Sequence, residues 1–178
     1  MKKTRNHPDE LIIGLVSISD RASSGIYEDQ GVPALRDWFS QALASPWQME
    51  TRLIPDERAR IEQTIIELVD HVGCDLVLTT GGTGPARRDV TPEALDQVAE
   101  KLIPGFGELF RWLSFQTIGT STIQSRACAG LSRGTYIFCL PGSTGAVKDG
   151  WDGILASQLD ARHRPCNFVE LLPRLRER

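Results

Sequence analysis

The sequence predicts an α/β protein of three layers, in which a mostly parallel sheet is flanked on both faces by helices. The first observation is a β-α-β-α-β rhythm of strand-like and helix-like segments in the first 80 residues. The second is a continuous apolar run at its start, which is typical of a strand buried on both faces. The third is a glycine-rich turn that follows an apolar strand and opens a helix. Right-handed crossovers between parallel strands are expected for this order.

The first half of the chain gives regular patterns. Continuous or alternating apolar residues predict strands, and apolar residues at helical spacing predict helices. The elements predicted are a strand from Leu11 to Ser17, a helix from Val32 to Ala44, a strand from Trp47 to Ile54, a helix beginning near Asp56, and a strand from Asp75 to Thr80.

The second half is less regular, although a last β-rich run is clear. The elements predicted are a helix from Thr91 to Leu102, a turn from Pro104 to Glu108, a helical stretch from Leu109 to Phe115, a helical or irregular segment from Ser121 to Ala129, a strand from Thr135 to Leu140, and a helix from about Ala146 to Leu159. The polar tail from Asp160 to Arg178 is expected to lie over the surface.

The bulk composition predicts one ordinary globular domain over residues 1–178, with 40% apolar and 24% charged residues. A net charge of -3 with scattered basic residues argues against binding of nucleic acid. The apolar run near the N-terminus is short and ends at Asp20-Arg21, so it predicts a core strand and neither a signal peptide nor a membrane span. A cytoplasmic location follows.

The cysteines and histidines predict no metal or thiol chemistry. Cys74, Cys128, Cys139 and Cys166 lie far apart, and the three histidines are equally dispersed. Neither a zinc site nor a Cys/His nucleophile pair can be assembled from neighbouring ligands. Reduced and buried thiols are expected.

The glycine-rich turn over residues 80–84 predicts an anion site. Its three glycines let backbone N–H groups converge on phosphate oxygens, while Thr80 and Thr83 add hydroxyls. Thr91 is predicted to cap the following helix, with Pro92 at its first position. The motif is neither a P-loop nor a dinucleotide fingerprint. An ordinary strand-to-helix turn would have the same composition.

The carboxyl ends of parallel strands share one edge of a sheet, so the loops after Ser17, Ile54, Thr80 and Leu140 are expected to line one crevice. Its polar residues are predicted to be Ser17, Ser19, Asp20, Asp56, Arg88, Asp89 and Ser143. Such a site suits phosphoryl or nucleotidyl transfer when the attacking group is an ionised phosphate. Asp56 and Asp89 are predicted to hold Mg²⁺ through oxygen ligands.

Each of these residues also suits a purely structural role. Asp56 and Ser143 suit helix caps, and Asp89 suits a helix dipole or a surface pair with Arg87. Asp20 and Arg21 suit a solvated ion pair, and Phe106 suits a position in the core. The residues alone thus indicate an α/β domain that binds a phosphorylated small molecule.

Several motifs together resemble those of one family. The stretches are Gly14 through Gly25, Arg52 through Glu57, Thr79 through Glu93, Pro104 through Glu108, and Pro141 through Ser143. They are similar to the molybdenum-cofactor biosynthesis proteins of the MogA/MoaB type, which are related to a domain of gephyrin. The resemblance covers nearly the whole chain and implies the MogA/MoaB-like fold.

The resemblance also implies an activity, molybdopterin adenylyltransferase, in which MgATP and molybdopterin give adenylyl-molybdopterin and pyrophosphate. By motif, Asp56 and Asp89 look like the catalytic, metal-holding pair. The nucleotide and pterin region implied by the motifs comprises Ser17, Asp20, Thr80, Gly81, Gly82, Thr83, Gly84, Arg88, Gly105, Phe106, Glu108, Ser114, Pro141, Gly142 and Ser143. A homotrimer and a downstream molybdate insertion protein as partner are further implications.

The two halves resemble different branches of the family. Residues 54–57 and 85–89 look like the MogA branch, whereas 114–129 and 157–168 look like the MoaB branch. Both aspartates lie in the MogA-like part, which favours an active enzyme. The second possibility is a MoaB-like protein that binds and hands on the pterin without catalysis.

Overall fold

The computed structural model describes residues 6, 10–25, 31–43 and 46–175. The strands in these residues are β1 (Leu11–Ile18), β2 (Trp47–Ile54), β3 (Leu76–Thr80), β4 (Lys101–Leu102), β5 (Cys128–Ser132) and β6 (Thr135–Leu140). They form one sheet in the order β2-β1-β3-β6-β5-β4. The first four strands in this order are parallel, and β5 and β4 follow as antiparallel neighbours. The predicted mostly parallel sheet is confirmed.

The helices flank this sheet. They are α1 (Asp20–Ser23), α2 (Gly31–Ala42), α3 (Arg58–Ile66), α4 (Thr91–Val98), α5 (Pro104–Ile118), α6 (Thr144–Gly150), α7 (Ala156–Gln158) and α8 (Phe168–Leu175). Wider helical turns extend α3 to Val72 and join α6 to α7, so both predicted helices are present. No helix among the described residues combines the length and the apolar character needed to cross a bilayer.

Each face of the sheet has its own hydrophobic core. Ile13 and Leu15 of β1 face a core that also includes residues of α2, α5 and α6, whereas Ile12 and Val16 face a core shared with α3 and α4. Alternate residues of one strand are therefore buried on opposite faces, as expected for a strand between two helix layers. The predicted three-layer arrangement follows directly from this alternation.

The predicted helix from Thr91 to Leu102 is wrong beyond Val98. Ala99 has extended backbone angles and ends α4. The N–H of Glu100 then donates to the carbonyl of Leu131, and that of Ile103 to the carbonyl of Ala129. Pairing with β5 thus replaces the helical hydrogen bonds, and the segment becomes the edge strand β4.

The predicted turn at Pro104 is also wrong, because Pro104 begins the 15-residue helix α5. Proline is well tolerated in the first turn of a helix. Gly107 is required inside this helix, since a Cβ there would lie 2.4 Å from the carbonyl oxygen of Ala127. The segment left as helical or irregular divides into a 3₁₀ turn over Gly119–Gln124 and then β5.

The tail does more than cover the surface. The ring of Phe168 lies 4.7 Å from that of Tyr136 and 5.3 Å from that of Phe138, and Leu172 is buried. Helix α8 therefore packs into the core on the α5 face. The predicted end of the second helix, Ala44, and the end of the predicted tail, 176–178, lie outside the described residues. None of the four cysteines, all of which lie among the described residues, forms a disulfide, but Cys128 is half-buried and Cys166 is exposed, so the expectation that all are buried is wrong for these two.

Candidate active site

Four loops meet where the parallel strands end. The N–H of Ser19 donates to the carbonyl of Ile54 at 2.9 Å, which joins the loops after β1 and β2. The N–H of Gly81 donates to the carbonyl of Leu140, also at 2.9 Å, which joins the loops after β3 and β6. The predicted convergence of these loops at one edge is confirmed.

The glycine turn lies directly against two carboxylates. Gly82 has a φ of 65°, and a Cβ there would lie 3.2 Å from Oδ1 of Asp56. A Cβ at Gly84 would lie 2.7 Å from Oδ2 of Asp89. Asp56 and Asp89 therefore both lie against this turn, and a side chain at Gly84 would displace Asp89. At Gly82 the positive φ and the hydroxyl of Thr91, 2.3 Å from a Cβ, also require glycine.

The same turn presents unused backbone donors. Within the described part of the chain, the N–H groups of Gly82, Thr83 and Gly84 donate to no protein acceptor. Consecutive free N–H groups in a turn are a common anion-binding arrangement. These N–H groups can thus donate to phosphate oxygens without giving up a hydrogen bond to a described residue.

Thr91 has a different role from the predicted helix cap. Its hydroxyl donates to the carbonyl of Gly81 at 2.9 Å, and its N–H donates to the carbonyl of Gly82 at 3.0 Å. Val90 occupies the cap position of α4 and makes no side-chain cap bond, so Pro92 is the second helical residue. Thr91 is fully buried and fixes the glycine turn onto the start of α4.

Asp20 and Asp56 hold each other across two loops. The N–H of Asp20 donates to Oδ2 of Asp56 at 2.8 Å, and the N–H of Asp56 donates to Oδ1 of Asp20 at 3.0 Å. This exchange takes the place of a helix cap by Asp56, since the cap residue of α3 is Glu57. Oδ1 of Asp56, which faces Gly82, accepts no hydrogen bond from any described residue.

Arg88 reaches back to the first loop. Its Nε and Nη2 donate to the two carboxylate oxygens of Asp20 at 2.9 and 2.7 Å. The structural alternative for Asp20, a solvated pair with Arg21, is not what this geometry shows, since Asp20 pairs with a residue 68 positions later. Both partners keep large exposed fractions, 59% for Arg88 and 43% for Asp20, so a ligand can reach the pair from solvent.

Asp89 is held within its own tight turn. Its Oδ2 accepts from the N–H of Ala86 at 2.9 Å, and its N–H donates to the carbonyl of Ala86 at 3.0 Å. A surface pair with Arg87 is not what this geometry shows. The second oxygen, Oδ1, accepts no hydrogen bond from a described residue.

The electrostatics of the site favour a cation. Burial raises the pKa of Asp56, and the negative charges of Asp20 and Asp89 raise it further. The hydrogen bonds from Arg88 lower the pKa of Asp20, because the positive charge of Arg88 stabilises mainly the carboxylate of Asp20. Asp56 is left as a partly buried carboxyl with two like charges nearby.

The available oxygens fit Mg²⁺. Carboxylates are the ligands this ion prefers, and it commonly takes one or two from the protein and the rest from water and phosphate. No group of three or more His, Cys, Asp or Glu among the described residues forms a complete metal cage. Asp56 and Asp89 thus suit an ion that arrives with a phosphate ligand.

A family model described as "Probable molybdopterin binding domain" matches residues 14–161. The chain belongs to this molybdopterin-binding-domain family. The resemblance predicted from the sequence is therefore confirmed.

Three relatives in the family illustrate the similarity. The chain is 55% identical over 144 residues to the molybdopterin adenylyltransferase of Escherichia coli K12, covering 81% of this chain and 73% of that protein. It is 42% identical over 156 residues to molybdenum cofactor biosynthesis protein B of the same strain, covering 88% and 89%. The crystal structure of the tungsten cofactor synthesizing protein MoaB from Pyrococcus furiosus has a TM-score of 0.78 at 31% identity, covering 96% and 100%.

Apart from four residues on α5, the remaining sequence-predicted residues lie in two places. Ser17, Thr80 and Thr83 are buried at strand ends and in the turn. Pro141, Gly142 and Ser143 lie in the loop after β6. Ser143 acts as a helix cap, because its Oγ accepts from the N–H of Ala146 at 3.4 Å.

Four predicted residues lie on α5. Gly105 and Glu108 are exposed, whereas Phe106 and Ser114 are buried. Phe106 takes a core position, with its ring 5.0 Å from that of Phe138. No hydrogen bond or ion pair in the described part of the chain joins these four residues to the glycine turn, and their role in ligand binding stays a prediction.

One residue that contacts the turn was missed by the sequence. Arg126 precedes β5 and reaches the loop between Thr83 and Glu93. No local motif marks it, because the segment before β5 has neither a strand pattern nor a helix pattern. Recognising Arg126 required the position of β5 in the sheet.

Proposed function

We propose that this chain, acting as one domain over residues 1–178, is a molybdopterin adenylyltransferase. The observation that carries the proposal is the pair Asp56 and Asp89 against one glycine turn with free N–H donors. The 55% identity to the E. coli adenylyltransferase supports it. The molybdenum-cofactor pathway is the corresponding biological role.

In the proposed reaction, a terminal phosphate oxygen of molybdopterin attacks the α-phosphorus of ATP. A new P–O bond forms, the bond between the α-phosphorus and the bridging oxygen breaks, and pyrophosphate leaves. The attacking phosphate is already ionised, so no general base is required, and positioning and charge stabilisation account for the catalysis. A site built from carboxylates, a guanidinium and backbone amides suits this chemistry.

The turn and Arg88 are proposed to bind the phosphates. The N–H groups of Gly82, Thr83 and Gly84 donate to no acceptor among the described residues and suit phosphate oxygens. Arg88 would exchange Asp20 for a ligand phosphate, which its exposure permits. Further ligand contacts are proposed for the predicted residues on the strand ends, on α5 and in the loop after β6.

Asp56 and Asp89 are proposed to hold Mg²⁺ through the Oδ1 atoms that accept no hydrogen bond from described residues. When bound, the ion would neutralise triphosphate charge and help to orient it. Asp20 would keep Asp56 in place through their reciprocal hydrogen bonds.

A homotrimer is proposed as the assembly. Helix α5 exposes Leu109, Trp112, Phe115 and Ile118, a set of large apolar side chains unusual for a surface. A second copy of the chain is the occupant proposed for this face. Light scattering after gel filtration should give three times the chain mass of 19.7 kDa, and a monomer mass would contradict the trimer.

Two further proposals depend on the enzymatic role. MgATP is an intracellular substrate, so a cytoplasmic location follows from the reaction. Adenylyl-molybdopterin must be consumed by a metal-insertion step, so a molybdate insertion protein is the proposed downstream partner.

The deciding experiment incubates the purified chain with molybdopterin, ATP and Mg²⁺ and measures pyrophosphate. Release that depends on all three components is expected. Absence of release, under conditions where the E. coli adenylyltransferase is active, would contradict the proposal.

The second candidate is a pterin-binding protein without catalysis. It is favoured by the 42% identity to protein B over nearly the whole of both chains. This candidate predicts pterin binding that ATP does not alter. An affinity for ATP that depends on Mg²⁺ and is lost in Asp56→Asn would count against it.

A further inference from the structure

Arg126 contacts the segment from Thr83 to Glu93, which carries Asp89. Its backbone N–H donates to the carbonyl of Thr83 at 2.8 Å, and its Nε donates to the carbonyl of Gly84 at 2.9 Å. Its Nη2 donates to the carbonyl of Asp89 at 2.6 Å, and Nη1 pairs with the carboxylate of Glu93. One residue thus contacts both ends of this segment, at Thr83 and Glu93, and also Asp89 within it.

These contacts close the loop from 84 to 89. Gly84 and Asp89 lie five residues apart, yet their carbonyls accept from one guanidinium. The guanidinium is planar and rigid, so it fixes the separation of the two carbonyls. The carboxylate of Asp89 is tied to this loop through the N–H of Ala86, and its direction therefore depends on the shape that Arg126 imposes.

Arg126 leaves the reactive end of Asp89 untouched. It binds the backbone carbonyl of Asp89 and pairs instead with the carboxylate of Glu93, on the first turn of α4. Hydrogen bonds from Arg126 lower the pKa of Glu93, so this pair stays charged. The negative charge of Asp89 thus stays available for a cation or for the substrate.

We propose that Arg126 is a positioning residue for adenylyl transfer, which aligns Asp89 by holding the loop between Gly84 and Asp89. This inference rests on the proposed function and deepens it. The antiparallel strand β5 then contributes to the site, because its start places Arg126 beside the glycine turn.

The test compares Arg126→Ala and Arg126→Lys with the matched control Arg133→Ala. Arg133 lies at the other end of β5 and pairs with Asp70, with side-chain exposure of 41% against 37% for Arg126. Lysine keeps the charge but has no planar fork to span the two carbonyls. We expect kcat to fall roughly 10- to 100-fold in both Arg126 variants, as for a small misplacement of a reacting group, with little change in KM for ATP.

A second measurement does not depend on activity. Amide hydrogen exchange in peptides over residues 83–93 should accelerate in both Arg126 variants and stay at the wild-type rate in Arg133→Ala. Exchange in β1 and β3 should be unchanged. Unchanged exchange over residues 83–93 in the Arg126 variants would overturn the inference, even if the wild-type chain releases no pyrophosphate and the proposed function fails.

A double-mutant comparison separates positioning from simple loss of stability. If Arg126 acts through Asp89, Arg126→Ala should lower kcat much less in an Asp89→Asn background than in the wild type. Equal effects in both backgrounds would overturn the inference. Should Arg126→Ala not fold, Arg126→Lys gives the same comparison.

Discussion

The parallel and antiparallel parts of the sheet carry different kinds of surface. The loops after β1, β2 and β3 bring together Asp20, Asp56, Arg88 and Asp89. Beside the antiparallel strands, α5 instead exposes large apolar side chains, Trp112 among them with 61% of its surface accessible.

The difference follows from strand direction. Parallel strands end at the same edge, so every following loop emerges there and can add a side chain to one site. Antiparallel strands send successive loops to opposite edges, and β5 reaches the site only at its first end, through Arg126. The parallel part is thus suited to chemistry, whereas the antiparallel part places Arg126 and carries the face proposed for assembly.

The largest expected effect comes from removing one charge in the parallel part. Asp89→Asn keeps an oxygen for the N–H of Ala86 but loses the negative charge at the glycine turn. Pyrophosphate release should fall by about 10²-fold or more, a typical loss for an electrostatic group in an active site. Asp70→Asn, which removes a carboxylate near the antiparallel hairpin, is the control and should retain wild-type turnover.

A smaller loss is expected when the approach of Asp89 to the turn is obstructed. Gly84→Ala places a Cβ 2.7 Å from Oδ2 of Asp89, so the carboxylate must shift. We expect turnover to fall roughly tenfold while the fold is kept, since the backbone at this position has no positive φ. Gly145→Ala, where a Cβ meets no atom within 4 Å, is the matched glycine variant. Equal kinetics for the two variants would show that the position of Asp89 does not matter.

A charged side chain introduced on the exposed apolar face of α5 tests the antiparallel part. If the proposed trimer forms through this face, Trp112→Glu should shift the mass in light scattering from trimer toward monomer, because an unpaired carboxylate buried at an interface is costly. Its effect on turnover per chain should be smaller than that of the two changes above. A variant that keeps the trimer would place the assembly interface elsewhere.

The smallest effect concerns stability in the parallel part. Because the pKa of Asp56 is raised by burial and by like charges, the folded state holds this proton more tightly than the unfolded chain. The contribution of Asp56 to stability therefore falls as the pH rises from the ordinary aspartate pKa through the raised one. Asp56→Asn should raise Tm slightly at neutral pH in the absence of Mg²⁺.

Calorimetry on wild type and Asp56→Asn at several pH values measures this difference. The gap in Tm should close below the ordinary aspartate pKa, where Asp56 is protonated in both states. A variant that melts below the wild type at neutral pH would mean that the hydrogen bond from the N–H of Asp20 outweighs the charge.

The sequence predicted the parallel part well because its signals are local. Leu11–Ile18 and Thr135–Leu140 are continuous apolar runs, and both are strands within one residue of the predicted bounds. The glycine turn is recognisable from its glycines alone. The meeting of the four loops follows from the topology of a parallel sheet. Asp56 and Asp89 were correctly expected on this edge, although their roles stay a prediction.

The antiparallel part depends on distant partners and could not be predicted. Lys101–Leu102 is a strand only because it pairs with β5, and both of its residues are exposed. Cys128–Ser132 consists mainly of small residues without a clear period. Thr91 shows the same limit in the other part, since its hydroxyl bonds to Gly81 and does not cap its own helix.

The ion pair between Arg88 and Asp20 has a consequence for the order of arrival of substrates. Before any ligand binds, the carboxylates of Asp20, Asp56 and Asp89 lie at this edge with the guanidinium of Arg88, whereas the charge of Arg126 is paired with Glu93. This excess of negative charge repels a bare triphosphate and attracts a divalent ion. Metal-free nucleotide should therefore associate slowly, and faster as ionic strength screens the repulsion, whereas nucleotide already complexed with its cation enters without that barrier.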